Sequence, residues 1–428
     1  MGGLSRVAGG EGRGRGRGGG SCGTLLCAAA IVWAGSCRER ARAVEVESEL
    51  REMVRAMVPA VERATGLSFR RFPVLELRSR EQIRSYVIAK FDAELPPAEL
   101  RGYQAAVRLF GLIPDTLDLR RTLINVLSEQ IAGYYDPDSN VFYVAADLDA
   151  STARVTASHE LVHALQDQYL SLDSIMRQRR QNDRRVAAQT ILEGQATLAQ
   201  IPVLMPEQRP DTLPANWFWR LREVMAAQHA QMKEFASAPL WLREGLVFPY
   251  LAGADFVNWY ARTHSGRHPL GSEIPRSTEQ ILHPERYQAK DEPTDLRIVA
   301  AATGGGPDSI VYEDDLGEFE IRLLLTTLTG VEARAAVLAD GWDGDRYAVL
   351  GPGMAALVWY SVWDGDAQAR RFAGGLERAW ANRRRDAETP RRYEITLVTV
   401  DGMPGVRLVD APVDWSGWSA IPQVRVSR

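Results

Sequence analysis

Ser158-His159-Glu160-Leu161-Val162-His163-Ala164-Leu165-Gln166-Asp167-Gln168 is the stretch on which the reading of this 428-residue chain turns. Residues four apart on a helix share a face, so His159 and His163 can bring both imidazoles to one ion. Glu160 lies beside that face, where a water on the metal would sit. Leu161, Val162 and Leu165 are left to face a core. The chain has six histidines and 55 acidic residues, and His-acid-x-x-His would then arise by chance only about 0.01 times per chain. The spacing predicts a helix over residues 151–169 with Ser151 as its N-cap.

Two histidines do not complete a catalytic zinc site, which typically takes three protein ligands and leaves a fourth position open. The metzincin arrangement needs a histidine six residues after the second. That position is Tyr169, and Gln166 stands where the pattern has glycine, so that class is excluded. The other class draws a glutamate from a second helix. Ile191-Leu-Glu193-Gly-Gln-Ala-Thr197, within a predicted helix over 184–200, offers one flanked by small residues that let two helices approach closely. The competing role for Glu193 is a buried or capping carboxylate.

HELVHALQDQ followed by LEGQAT resembles the gluzincin pattern of HExxH zinc metallopeptidases, as found in exported bacterial proteins of unassigned function with an EGxAT-type second helix. IPRSTEQILHPERY (274–287) and GWDGDRY (341–347) resemble further segments of the same group. The resemblance implies an α+β fold with a zincin-like core, built from a small sheet, an active-site helix and a second metal-ligand helix. It implies Zn2+ held by His159, His163 and Glu193, with Glu160 as general base in peptide-bond hydrolysis. It names no substrate beyond a peptide or protein. Gluzincins commonly stabilise the oxyanion with a further His or Tyr from beyond the second helix. The candidates are His283 and Tyr287, against the alternative that their segment caps a helix ahead of Pro284. Asp167 is a candidate to receive a ligand imidazole N–H, against that of a plain surface acid.

Working outward, β-prone runs at 131–135 and 141–144 flank the turn-rich Asp136-Pro-Asp-Ser-Asn140 and predict a hairpin. Its Val141–Val144 strand is the candidate edge on which an extended peptide could pair. Helical spacing recurs at 44–64, 81–91, 221–235 and 252–263, with a short strand at 73–77, so the middle of the chain is largely helical. Phe248-Pro-Tyr250, followed by Phe256, Trp259 and Tyr260, reads as a pocket wall or an aromatic core stripe. The arginines of 177–185 read as a solvated connector. Past the glycine-rich 304–307, a helix at 316–328, a strand at 355–363, a helix at 367–383 and a hairpin of 393–400 with 406–409 predict a small α/β module.

Residues 1–43 are Gly- and Arg-rich before an apolar run at 24–34, the texture of an export signal. Two outcomes fit: processing at Ala34-Gly35-Ser36-Cys37, leaving Cys37 lipidated and membrane-attached, or release after Ala41-Arg42-Ala43. Cys22, Cys27 and Cys37 all fall in this segment, so any metal must be held by His and carboxylates. With seven arginines and two glutamates removed from a chain of net charge −4, the remainder carries −9, which argues against nucleic acid as a partner. The expected organisation is an export segment (1–43), a metallopeptidase domain (44–302) and a C-terminal α/β module (303–428), acting in the periplasm, envelope or outside the cell. The oligomeric state is left open. Two rival readings are a non-catalytic zinc-containing envelope lipoprotein acting as a scaffold, and a sugar-binding lipoprotein using Trp342, Trp359, Trp363, Trp415 and Trp418.

Overall fold

The computed structural model describes residues 47–428 apart from 173–174, 176–177, 215–216, 300–308, 352, 384–389 and 428. The expectations placed on the export segment, its three cysteines and the glycine-rich 304–307 lie outside the described residues. The chain divides into two units, residues 1–52 and 53–428; the first is described only at 47–52, which are helical. Among the described residues no helix is long and apolar enough to cross a membrane.

The second unit is α+β. In chain order it runs α1 (53–65), β1 (Val74–Arg78), α2 (Arg80–Glu94), α3 (Pro97–Phe110), α4 (Leu119–Gln130), β2 (Gly133–Asp136), β3 (Val141–Ala145), α5 (Ala150–Gln166) and α6 (Asn182–Leu204). There follow α7 (Trp217–His229), α8 (Lys233–Ser237), α9 (Leu240–Thr263), α10 (Thr278–Leu282), α11 (Pro284–Ala289), β4 (Leu296–Val299) and β5 (Ile310–Asp314). The chain closes with α12 (Gly317–Thr329), α13 (Glu332–Ala339), β6 (Trp342–Leu350), β7 (Ala356–Trp363), α14 (Asp366–Ala381), β8 (Arg391–Val400), β9 (Met403–Pro412) and β10 (Gln423–Val426).

The predicted hairpin is present as antiparallel β2 and β3, but β1 pairs parallel to β3, giving the order β1-β3-β2. Val141–Val144 therefore lies in the central strand, hydrogen-bonded on both sides, and cannot accept a peptide. The edge strand that packs on α5 is β2. The hairpin was legible from local turn chemistry, whereas the position of β1 depends on a crossover through three helices.

Helix α5 starts one residue before the expected cap. Asp149 accepts the N–H groups of Ser151 (2.9 Å) and Thr152 (3.0 Å) and the Thr152 hydroxyl (2.6 Å), so Asp149 rather than Ser151 satisfies the first free donors. Its apolar face, with Leu161, Val162 and Leu165 fully buried, packs on β2 and β3 and against α6. On its other side α6 packs against α9, the most extensive helix pair in the molecule. Helix α9 continues through Pro249, so Phe248-Pro-Tyr250 lies inside it rather than ahead of it.

The two long helices touch backbone to backbone. A Cβ placed on Gly253 would lie 2.0 Å from the Thr190 carbonyl oxygen, and one on Gly194 would lie 2.1 Å from the Gly253 carbonyl carbon. The glycine after Glu193 thus serves the α6–α9 crossing, not the approach of α6 to α5.

The five strands β5-β6-β7-β9-β8 form an antiparallel sheet. One face packs on α3, α12, α13 and α14, and the other on the β4–β10 ribbon, so β7 is buried on both faces and reads as an unbroken apolar run. Phe110 of α3 sits edge-on to Tyr347 (5.1 Å) and Trp359 (5.4 Å), while Phe248 of α9 stacks on Phe319 of α12 (3.8 Å). One apolar core thus joins residues from both sides of position 303. Trp342, Trp359 and Trp363 are within it, at most 2 % exposed, and present no face to a sugar.

Gly253→Ala should destabilise the fold by about 3 kcal/mol, because a backbone-to-backbone clash cannot be relieved by a rotamer change. Gly245→Ala, on the same helix but with open space around its Cβ, should be neutral or stabilise by up to about 1 kcal/mol through helix propensity. Urea unfolding midpoints of the two variants check this; equal shifts would disprove the crossing.

Candidate metal centre

Helices α5 and α6 bring His159, His163 and Glu193 together. His159 Nε2 lies 3.0 Å from Glu193 Oε2, His163 Nε2 lies 3.4 Å from the same oxygen, and the two Nε2 atoms are 3.1 Å apart. Tetrahedral zinc with ligands at about 2.0–2.1 Å requires donor atoms about 3.3 Å apart. Among the described residues this is the one group of three or more His, Cys, Asp or Glu that could share an ion, and it has three members.

The surrounding hydrogen bonds decide where the imidazole protons sit. Gln166 donates its amide N–H groups to the Leu192 carbonyl (2.9 Å) and to Gln195 Oε1 (2.9 Å), so its own Oε1 faces His163 Nδ1 at 2.9 Å. Gln200 likewise donates to the Val155 carbonyl (2.9 Å) and Ser158 Oγ (3.1 Å), presenting Oε1 to His159 Nδ1 at 3.3 Å. Both Nδ1 atoms must donate, so in the neutral rings both Nε2 atoms hold lone pairs aimed at a carboxylate oxygen. Three acceptors at such distances call for a positive charge among them, which either a proton on His163 or a bound cation can supply. The donor set fits a divalent, borderline-soft cation.

The same demand shows in the protonation equilibria of the protein groups. Burial disfavours a charged His163, but the Glu193 carboxylate outweighs it and lifts the His163 pKa to about 9. Burial alone would raise Glu193; the two histidines reverse this and hold it far below the usual carboxylate range.

Glu160 lies beside the three ligand candidates. Its Oε2 accepts the Tyr135 N–H at 2.9 Å, where β2 turns an outward N–H toward α5. Burial raises its pKa, opposed by His163 and His159. The rest of the motif secures the centre from outside. Asp167, expected as partner of a ligand imidazole, accepts the Tyr135 hydroxyl at 3.0 Å, and the ring partners are Gln166 and Gln200. As the C-cap of α5, Asp167 has turned toward the hairpin, and the glutamine one position earlier is in reach. Gln168 Oε1 takes the N–H groups of Arg70 (2.7 Å) and Arg71 (2.9 Å), and Tyr169 donates to the Ser68 carbonyl (2.7 Å).

Residues 309–411 match the profile of a domain of unknown function (DUF8575). No curated protein and no solved structure matches the chain. The matched stretch holds β5 to β9 and none of the four residues of the centre.

The two candidate oxyanion donors are elsewhere, and the alternative reading of their segment as a helix cap is the one that fits. His283 Nε2 lies 3.1 Å from Glu318 and 3.0 Å from Arg322, and Tyr287 donates to the Glu273 carbonyl at 2.8 Å. Their segment is structural. Ser277 caps α10, and Thr278 binds Asp183 in the first turn of α6 through its N–H (3.0 Å) and hydroxyl (2.5 Å). Phe256 and Tyr260 are likewise core, packed with Tyr287.

The residue to which sequence reasoning gave no place beside this cluster is Tyr250, read there only as pocket wall or core stripe. Its ring stacks on His159 at 5.7 Å, and its phenol lies near enough to Glu193 to feel the carboxylate's charge. The Glu193 charge, then burial, raises its pKa well above the ordinary value, so it remains a donor. Its one signal was its place in a helix that also carries Gly253.

Glu193→Gln should return the His163 pKa from about 9 to the ordinary 6.5 or below, because burial then prevails over what remains of the negative field. An NMR titration of the His163 ring in metal-free protein checks this; a value held near 9 would contradict it.

Proposed function

We propose that this chain is a zinc-dependent metallopeptidase of the gluzincin type, with a zincin-like core formed by the β1-β3-β2 sheet, α5 and α6. The observation that carries the reading is the convergence of His159 Nε2, His163 Nε2 and Glu193 Oε2 with Glu160 alongside. His159, His163 and Glu193 would hold the ion. Zinc, when bound, supplies a Lewis acid that polarises a carbonyl and makes a water more acidic.

The chain's own groups account for the proton transfers and the positioning. With Oε2 held by Tyr135, Glu160 has Oε1 to take the proton of the attacking water and pass it to the leaving amine. Tyr250 is the donor on the opposite helix that can stabilise negative charge on the former carbonyl oxygen, the role first sought at His283 and Tyr287. The short edge strand β2 lies beside the base, and an extended peptide pairing there would have to use groups of β2 other than the Tyr135 N–H, which Glu160 already takes. A purely structural zinc site is normally closed by four protein ligands and needs no acid beside it, so Glu160 favours an enzyme over a scaffold. We further propose export, on the character of residues 1–43.

Purified full-length protein should carry one zinc per chain, and His163→Ala should lose it. Glu160→Gln should keep zinc and stability while hydrolysis of a peptide library falls about 10²- to 10⁴-fold, the usual worth of a positioned general base. Full zinc in His163→Ala refutes the metal assignment. Unchanged turnover in Glu160→Gln refutes the mechanism, and zinc without any hydrolysis in the native protein leaves the scaffold reading in its place.

A further inference from the structure

A chain of buried hydrogen bonds leaves the metal centre in one direction. His163 Nδ1 meets Gln166 Oε1 at 2.9 Å, Gln166 Nε2 meets Gln195 Oε1 at 2.9 Å, and Gln195 Nε2 meets His268 Nδ1 at 2.7 Å. Gln166 and Gln195 are completely buried. His268 lies beyond α9, in the segment leading to α10, and is partly buried.

The direction of the chain follows from its donors. The Leu192 carbonyl can only accept, so Gln166 must turn its amide nitrogen that way and offer nitrogen to Gln195 as well. Gln195 must then present oxygen to Gln166 and nitrogen to His268. An amide nitrogen only donates, so His268 Nδ1 must accept and its proton sits on Nε2. Burial pushes the His268 pKa down to about 4, so the ring is neutral at ordinary pH and its Nδ1 lone pair is available.

Reversed, the chain would have the opposite effect on the metal. If Gln195 turned over, it would offer nitrogen to Gln166, which would have to answer with oxygen, giving up its bond to the Leu192 carbonyl, and present its own nitrogen to His163 Nδ1. His163 Nδ1 would then accept, and the ring proton would move to Nε2, where the ion must bind.

We propose that His268 is a positioning residue for the metal centre: the Leu192 carbonyl orients Gln166, and His268, by accepting from Gln195, holds the far end of the Gln166–Gln195 chain in the same direction, the one that keeps the His163 proton on Nδ1 and its Nε2 lone pair toward the metal. The proposal rests on the zinc reading above. It assigns a role in that centre to a histidine two side chains removed from the nearest ligand. Partners of a metal-ligating histidine are commonly worth 10- to 100-fold in metal affinity, and at this remove the lower end of that range is expected.

The test uses full-length protein and two variants, His268→Leu, which removes the acceptor, and His268→Asn, whose Oδ1 can stand where Nδ1 stood. Zinc affinity is read by chelator competition, the His163 Nδ1–H by NMR of the zinc-loaded protein, and fold by thermal unfolding of the metal-free protein. His268→Leu should bind zinc about tenfold more weakly and lose or shift the Nδ1–H resonance, and His268→Asn should restore both. Native affinity and an unmoved resonance in His268→Leu would overturn the proposal, as would equal weakening in both variants, which would mark a packing effect. If His268→Leu does not fold, Gln195→Met, which breaks the chain one link nearer the metal, is judged on the same two readings. Absence of zinc from the native protein would instead sink the zinc reading itself.

Discussion

Glycine at positions 194 and 253 lets the backbones of α6 and α9 touch, and the candidate centre depends on that contact. Glu193 immediately precedes one glycine and Tyr250 stands three residues before the other. Close approach therefore delivers a carboxylate and a phenol to the same point from opposite helices. Because α6 also packs on α5, the carboxylate lies between the two histidines and the tyrosine. Any side chain at the crossing would push α9 outward and take Tyr250 with it.

Around that contact the chain supplies fixed hydrogen bonds rather than charge. His159 and His163 are each met at Nδ1 by a glutamine oxygen, and each glutamine is held by donating to a backbone carbonyl. A neutral amide oxygen fixes the tautomer without adding negative charge. The negative charge of the cluster then comes from its own carboxylates, Glu193 and Glu160.

The C-terminal sheet acts as a platform for these helices. Asp345, in the segment Gly341–Tyr347, accepts the N–H groups of Leu316 (3.0 Å) and Gly317 (2.9 Å) at the start of α12 and the indole N–H groups of Trp342 (3.2 Å) and Trp359 (2.9 Å). Through Thr278, whose hydroxyl bonds Asp183 and accepts the Phe319 N–H (3.1 Å), α12 is tied to the first turn of α6. The Glu193 helix is thus anchored at its N-terminus to the sheet region and at its middle to α9. The segments 274–287 and 341–347, to which the family resemblance extended, serve this anchoring.

The sequence by itself determined what depends on local spacing. His159 and His163 share a face because four residues make about one helical turn, Glu160 lies beside them for the same reason, and the 136–140 turn makes a hairpin of β2 and β3. The helices of the middle region and β7 to β9 were legible because periodicity and β-propensity agree there with burial. Only the tertiary structure decided which distant residues meet. It made β3 central by adding β1, took His283 and Tyr287 away from the centre, brought Tyr250 to Glu193, and linked His268 to His163 through two glutamines. Those choices depend on helix crossings and carbonyl positions far apart in the chain, and a polar residue's partner cannot be read from its neighbours when the partner arrives from another helix.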